Sequence, residues 1–153
     1  APAANAGYIK SIAADKYVSG EFTYPGENYG MLRARATVFG LPESWDIQRI
    51  STCEGPPNTI CRIVSLTSTA NHRYVTAELG YTGDRYGMLR ASSTWVGPWQ
   101  RFGLIYYGSN TWALQSEANG MYVSAELAYP GDRYGMLRAR ATEVRSWEKF
   151  IFA

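Results

Sequence analysis

An eighteen-residue segment occurs three times in this chain. It runs from Tyr17 to Ala34, again from Tyr74 to Ala91, and again from Tyr122 to Ala139. The second and third copies differ at three positions only: Thr76 against Ser124, Gly80 against Ala128 and Thr82 against Pro130. Repetition at this period means stacked or closed supersecondary units, each unable to bury its apolar face alone. A Trp follows each copy, at Trp45, Trp99 and Trp147. The tyrosines that open the copies are 57 and 48 residues apart, so the first unit carries nine extra residues. Aligning on the Trp residues places three of these before Trp45 and six after it, where the two cysteines lie.

Within a unit the strand signals are short and separated by turn chemistry. In the third copy, residues 111–115, 122–127, 135–141 and 147–152 read as four strands, and helical periodicity is absent. Alternation directs Val123, Ala125 and Leu127 inward and Tyr122, Ser124 and Glu126 outward. It likewise directs Leu137, Ala139 and Ala141 inward and Met136, Arg138 and Arg140 outward. Three units of four strands are too few for a propeller, and an open solenoid would need distinct capping units. Closure about a pseudo-threefold axis remains, which predicts an all-β protein of β-trefoil architecture. Residues 1–7 are expected to form a tail and 8–153 a single domain, with repeats at about 8–60, 61–105 and 106–153. Leu32, Leu89 and Leu137, with Val18, Val75 and Val123, should form layers near the axis. Phe102 and Phe150 should cap the same core, with Ile47 or Ile50 in that role in the first unit.

Composition narrows the function. Fifteen Lys and Arg against 13 Asp and Glu leave a net charge of +2, with no basic block. Binding that depends on neutralising many nucleic-acid phosphates is therefore not expected. With 46% hydrophobic and 18% charged residues the chain is not a disordered polyampholyte. No apolar run approaches the ~20 residues of a membrane-spanning helix, so membrane insertion is not expected. The opening residues Ala1-Pro2-Ala3-Ala4-Asn5-Ala6 read as the start of a trimmed, secreted and extracellular protein, or as a boundary inside a longer one. Cys53 and Cys61 flank Pro56-Pro57 and suit a loop-stapling disulfide; two free thiols in a reducing compartment are the alternative. Together with the one histidine, His72, they do not complete a zinc site.

The motif Tyr122-Val123-Ser124-Ala125-Glu126, a glycine-containing loop, Leu137-Arg138-Ala139, and Trp147-Glu148-Lys149-Phe150 resembles the fascin-like β-trefoil repeat, in the form found in secreted bacterial carbohydrate-binding, lectin-like proteins. The resemblance covers nearly the whole chain. The chain departs from that pattern in its Gly83-Asp84-Arg85-Tyr86-Gly87-Met88 loop and in Trp99-Gln100, where an acidic residue would follow the Trp. The family includes actin-bundling proteins, but these need a cytosolic location and several trefoils.

Catalytic signatures are missing from the sequence. There is no P-loop, dinucleotide fingerprint or metalloprotease motif, no cofactor is implied, and His72 reads as a solvated turn residue. Glu21, Glu78 and Glu126 recur once per unit and should lie far apart, unlike a glycosidase pair. A non-enzyme is expected. Binding is the better use of repeated polar residues. Each unit presents a Glu (Glu21, Glu78, Glu126), two loop tyrosines (Tyr24 and Tyr29, Tyr81 and Tyr86, Tyr129 and Tyr134), an Arg (Arg33, Arg90, Arg138) and its Trp. A sugar needs a flat aromatic ring with fixed donors and acceptors, and these residues supply them. The Glu and Arg could instead pair with each other across strands, and the Trp could belong to the trefoil's base layer. The first reading is a monomeric, multivalent lectin with up to three equivalent sites for a neutral polysaccharide, such as a β-glucan, or a cell-surface glycan. The second is a protein-binding or inhibitory trefoil acting through the Cys53–Cys61 loop on a partner protein or a parent enzyme.

Overall fold

The structure is a computed structural model describing residues 6–55 and 57–153. Of the expected tail, residues 1–7, the first five lie outside that range, as does Pro56, whereas Ala6 and Gly7 form a strand. Thirteen strands follow one another: β1 (Ala6–Gly7), β2 (Ile9–Ser11), β3 (Lys16–Glu21), β4 (Met31–Ala36), β5 (Trp45–Thr52), β6 (Cys61–Ser68), β7 (Tyr74–Glu78), β8 (Met88–Ser93), β9 (Phe102–Tyr106), β10 (Trp112–Ser116), β11 (Tyr122–Glu126), β12 (Met136–Ala141) and β13 (Phe150–Phe152). The first two are one trefoil strand interrupted at Tyr8, so each unit contributes four.

Two closed arrangements result. The outer strands of the units form a ring, in which β1 pairs with β5, β5 with β6, β6 with β9, β9 with β10, β10 with β13 and β13 with β2. The inner strands form three hairpins, β3–β4, β7–β8 and β11–β12. These hairpins meet one another through β4–β8, β8–β12 and β12–β4. A six-stranded barrel capped by a hairpin triplet is the β-trefoil. Its symmetry extends to irregularities: the register shifts at Tyr17/Val18, Tyr74/Val75 and Tyr122/Val123. Such a bulge sharpens the local twist, which lets each hairpin fold over the barrel mouth.

The core is the one the periodicity predicts. Val18, Leu32, Val75, Leu89, Val123 and Leu137 are all fully buried in one cluster. Phe102 and Phe150 belong to it, but neither isoleucine is their counterpart in the first unit. Ile50 is exposed and Ile47 only partly buried. The counterpart is Trp45, 0% exposed, whose indole Nε1 donates to the Val18 carbonyl at 3.0 Å. Trp45, Phe102 and Phe150 each stand eleven residues after Ala34, Ala91 and Ala139. The first unit therefore has no insertion before Trp45. All nine extra residues follow it, lengthening the β5–β6 hairpin, whose end is closed by a Cys53–Cys61 disulfide with Cα atoms 5.1 Å apart.

In each unit the residue at the aligned position, Pro42, Trp99 or Trp147, lies on a one-turn 3₁₀ helix just before the core aromatic. In the third unit that turn, Ser146–Glu148, replaces the start of the expected fourth strand. The turn is held by a buried side-chain acceptor three residues in. Glu43 accepts from the Gly40 N–H at 3.0 Å, Gln100 from Gly97 at 2.8 Å and Glu148 from Arg145 at 2.8 Å. Only the acceptor oxygen is needed there. Gln100 therefore substitutes for an acid, and its amide nitrogen gains a bond to Thr76 Oγ1 at 2.7 Å.

Candidate functional site

The fifteen residues singled out as ligand-binding separate into two groups with different surroundings. The first group lies along the seams between units. Arg138 Nε donates to the Tyr86 carbonyl at 2.8 Å, Nη2 to the Gly83 carbonyl at 3.2 Å and Nη1 to the Tyr129 hydroxyl at 2.5 Å. Arg90 repeats this on the Tyr29 and Gly26 carbonyls and the Tyr81 hydroxyl. Arg33 closes the circle on the Tyr134 and Gly131 carbonyls and the Tyr24 hydroxyl. Each guanidinium thus fastens its own hairpin to the loop of the preceding unit. The alternation places Met31, Met88 and Met136 and these arginines on an outward face. The methionines are instead buried, and so are Arg33 and Arg138, because that face packs against the neighbouring unit.

The loop tyrosines share in the same seams. Tyr24, Tyr81 and Tyr129 donate from their hydroxyls to the Asp132, Glu27 and Asp84 carbonyls at 2.9, 2.9 and 3.2 Å. Burial pushes the Tyr24 and Tyr81 hydroxyls above the usual phenol range. Tyr29 and Tyr86 accept from Asn71 and Asn119, whose amides also reach the Ala91 and Ala139 carbonyls. Tyr134 has no such partner among the described residues, because Ala14 stands where Asn71 and Asn119 stand in the other units. His72, next to Asn71, is an exposed left-handed turn residue equivalent to Asp15 and Gly120.

The second group lies on the outer flank of each hairpin, and here the units differ. In the third unit a cleft of about 440 Å³ is lined by Ser124, Glu126, Arg140, Arg145, Trp147 and Glu148, among others. Glu126 is 5% exposed and takes both its bonds from Arg140, through Nε and through Nη2 at 2.8 Å. Its nearest atom of Arg138 is 3.6 Å away. The partner of Glu126 is therefore chiefly Arg140, the outward arginine two residues beyond the one the repeat comparison selects. The hydrogen bond to Glu126 holds the Arg140 guanidinium above its ordinary value. Trp147 is 45% exposed and forms one wall.

The first unit keeps the bidentate pair, Glu21 with Arg35 at 2.6 and 2.8 Å, but Pro42 stands in place of Trp147. Trp45, the expected platform there, lies in the core and has no accessible face. The second unit keeps an exposed aromatic at Trp99, and Trp95, four residues earlier, is 61% exposed. It lacks the outer arginine, since Ser92 occupies that position, and Glu78 bonds to Arg90 at 3.0 Å instead. The expected three equivalent sites are thus three different surfaces. The third alone unites the buried carboxylate, its guanidinium partner and an exposed indole.

No family model and no curated protein sequence matches the chain. Solved structures do. The designed threefold-symmetric protein ThreeFoil superposes with a TM-score of 0.74 at 12% identity, over 97% of both chains. The Rhizoctonia solani agglutinin gives 0.67 at 14% identity over 99% of this chain and 95% of that one. The Macrolepiota procera ricin B-like lectin, solved with lactose, gives 0.62 at 13% over 99% and 96%. An exo-β-1,3-galactanase from Clostridium thermocellum gives 0.77 at 10%, this chain covering 30% of that enzyme. At such identities the likeness is one of fold, and the fold these neighbours share with the chain is the β-trefoil.

Proposed function

We propose that the protein is a non-catalytic, lectin-like carbohydrate-binding module whose principal site is the third-unit cleft. The observation that carries this reading is the meeting of an exposed indole, Trp147, with a buried carboxylate, Glu126, that fixes the half-exposed Arg140 guanidinium through its Nε and Nη2. An indole face suits the C–H face of a pyranose, while Arg140 and the polar rim offer fixed partners to its hydroxyls. The presence of glycan-bound lectins among the fold neighbours supports it: one solved with lactose, another, from Polyporus squamosus, with a sialylated galactose epitope. The ligand class is a neutral polysaccharide such as a β-glucan, since Glu126 is already neutralised by Arg140. A fascin-like affiliation rests on the repeat motif, and a secreted location on the Cys53–Cys61 disulfide, a bond that persists in oxidising compartments. Trp99 in the second unit is a weaker secondary platform, and Arg33, Arg90, Arg138 and the loop tyrosines support the sites by holding the hairpins in place.

The test is binding to a panel of insoluble polysaccharides and arrayed glycans. Trp147→Ala should weaken binding at least about tenfold, as expected for losing a stacking platform. Trp99→Ala should have a smaller effect. A folded wild type that binds no glycan would sink the proposal, as would a Trp147→Ala variant that binds like wild type.

The lengthened β5–β6 hairpin favours a second reading. It is the one large departure from threefold symmetry, its end is covalently closed, and Ile50 and Ile60 are exposed on it. A constrained loop of this kind suits protein binding, because its ordering cost is met in advance. Shortening it to the length of the β9–β10 connection separates the readings, since glycan binding should survive.

A further inference from the structure

At the pseudo-threefold axis, Met31, Met88 and Met136 are buried against one another with Tyr24, Tyr81 and Tyr129 packed around them. Around that plug lies a ring of charge that is threefold in two of its three parts. At the first seam Arg85 lies over the Tyr81 ring, 4.9 Å from its centroid, and bonds to Glu27 at 3.1 Å. At the second, Arg133 lies over the Tyr129 ring at 5.5 Å and bonds to both Asp84 oxygens at 2.9 Å. At the third seam the aromatic ring is Tyr24 and the acid is Asp132, but the residue equivalent to Arg85 and Arg133 is Asn28. Asn28 is turned to other use, accepting from Arg85 Nη1 at 3.2 Å. Among the described residues the exposed Asp132 carboxylate takes part in no hydrogen bond or ion pair. In this outer ring three acids face two guanidinium groups; Arg33, which serves the Tyr24 hydroxyl and the Gly131 carbonyl at the third seam, makes no bond to the Asp132 carboxylate.

A pocket of about 370 Å³ opens at that third seam, lined by Tyr24, Asn28, Met31, Asp132, Arg85 and Arg133, with Pro25 at its edge. We infer that this pocket binds a guanidinium group, presented as the arginine side chain of a partner polypeptide. The two filled seams are internal templates for the third. They show which chemistry satisfies a tyrosine face and a carboxylate in this geometry, namely a planar cation stacked on the ring with its donor fork on the acid. The neighbouring Arg85 and Arg133 do not repel the incoming cation strongly, since Glu27 and Asp84 compensate them. The volume admits the aliphatic stem as well as the planar head, and the exposed Pro25 at the edge supplies an apolar contact for that stem. The axis pocket lies on a different face of the hairpins from the Trp147 cleft, and shares none of its lining residues.

The probe is N-acetyl-arginine amide, titrated into isotope-labelled protein and followed by NMR. Saturable shifts should be confined to the loop around residues 24–28 and to the neighbourhood of Asp132. The lysine analogue should bind about tenfold more weakly, because a point charge cannot use the fork and the ring together. Asp132→Asn should weaken arginine binding by a similar factor, and Asn28→Arg should abolish it by filling the pocket from within. The rest of the spectrum reports that each variant is folded. The inference is overturned if no saturable response occurs, if the lysine analogue or glucosamine responds equally, or if Asn28→Arg still binds the probe.

Discussion

Arg138 reaches out of its own unit and donates to the main-chain carbonyl of Tyr86 in the preceding one, at 2.8 Å. The acceptor is a backbone atom, so the contact depends on the loop's path and not on its side chains. It is therefore compatible with Glu27-Asn28 in the first loop, where Asp84-Arg85 and Asp132-Arg133 stand in the other two. A lysine at this position would keep the charge but could not serve two carbonyls and a hydroxyl from one rigid fork. Arg138→Lys should lower unfolding free energy by about 2 kcal/mol, the scale for losing charged hydrogen bonds at a buried site. Urea denaturation measures it, and a change under about 0.5 kcal/mol, the range of ordinary surface substitutions, would refute the seam's structural role.

The loops end on glycines that approach the next unit closely. Gly87 has φ +80°, and a Cβ there would lie 2.7 Å from the Ala139 carbonyl oxygen. The neighbouring Ala139 N–H bonds to the Gly87 carbonyl at 2.8 Å, so neither backbone can withdraw freely. Gly87→Ala should cost about 2 kcal/mol or more, from strain at positive φ together with the clash. Gly83→Ala is the control: its φ is also positive, but nothing lies within 4 Å of its Cβ. It should destabilise distinctly less in the same urea titration.

The seam between the third and first units is the poorest in polar contacts, which makes it improvable. Ala14→Asn would place an amide where Asn71 and Asn119 bond to a tyrosine hydroxyl and a strand carbonyl. The expected gain is about 1 kcal/mol, the usual net value of a hydrogen bond. Combining it with Tyr134→Phe in a double-mutant cycle should remove part of that gain, and full additivity would show that the amide does not reach Tyr134.

Alkaline pH should weaken the cap. Burial raises the Tyr24 and Tyr81 hydroxyls above the ordinary phenol range, and Tyr107 likewise. A folded-state value above the unfolded one means that the folded protein holds these protons longer. Their contribution is complete below about pH 10, the unfolded phenol value, and is lost as pH rises through the folded values. Phenolate absorbance should therefore show a late-titrating fraction, reduced in Tyr24→Phe and Tyr81→Phe. A single titration matching free tyrosine for all twelve residues would contradict the burial of these hydroxyls.

The repeat spacing was enough to read the trefoil, because length and register in a closed threefold fold leave few arrangements. The same symmetry misled where residue type was used in place of position. Trp45 resembles Trp99 and Trp147 in kind, but a barrel floor accepts Trp or Phe alike, so identity did not mark equivalence. Counting from Ala34, Ala91 and Ala139 places it with the phenylalanines. The Arg33, Arg90 and Arg138 set was legible as a set, yet its role was not. Alternation tells which face of a strand a side chain leaves, and cannot tell that a neighbouring unit covers that face. Arg140 and Arg35 were hidden for the opposite reason, since Ser92 breaks the threefold pattern at their position.

The pairing of Phe150 with Ser11 and of Phe152 with Ile9 closes the barrel using segments from opposite ends of the described chain. During synthesis the outer edge of β2 must wait, unpaired, until residues 150–152 emerge. The hairpins can form early from local contacts, whereas the ring can be completed only by a contact of very high sequence separation, a slow class of event. A ribosome-bound chain lacking residues 150–152 would therefore display a gapped sheet with two open edges, the kind of surface that invites association with other chains.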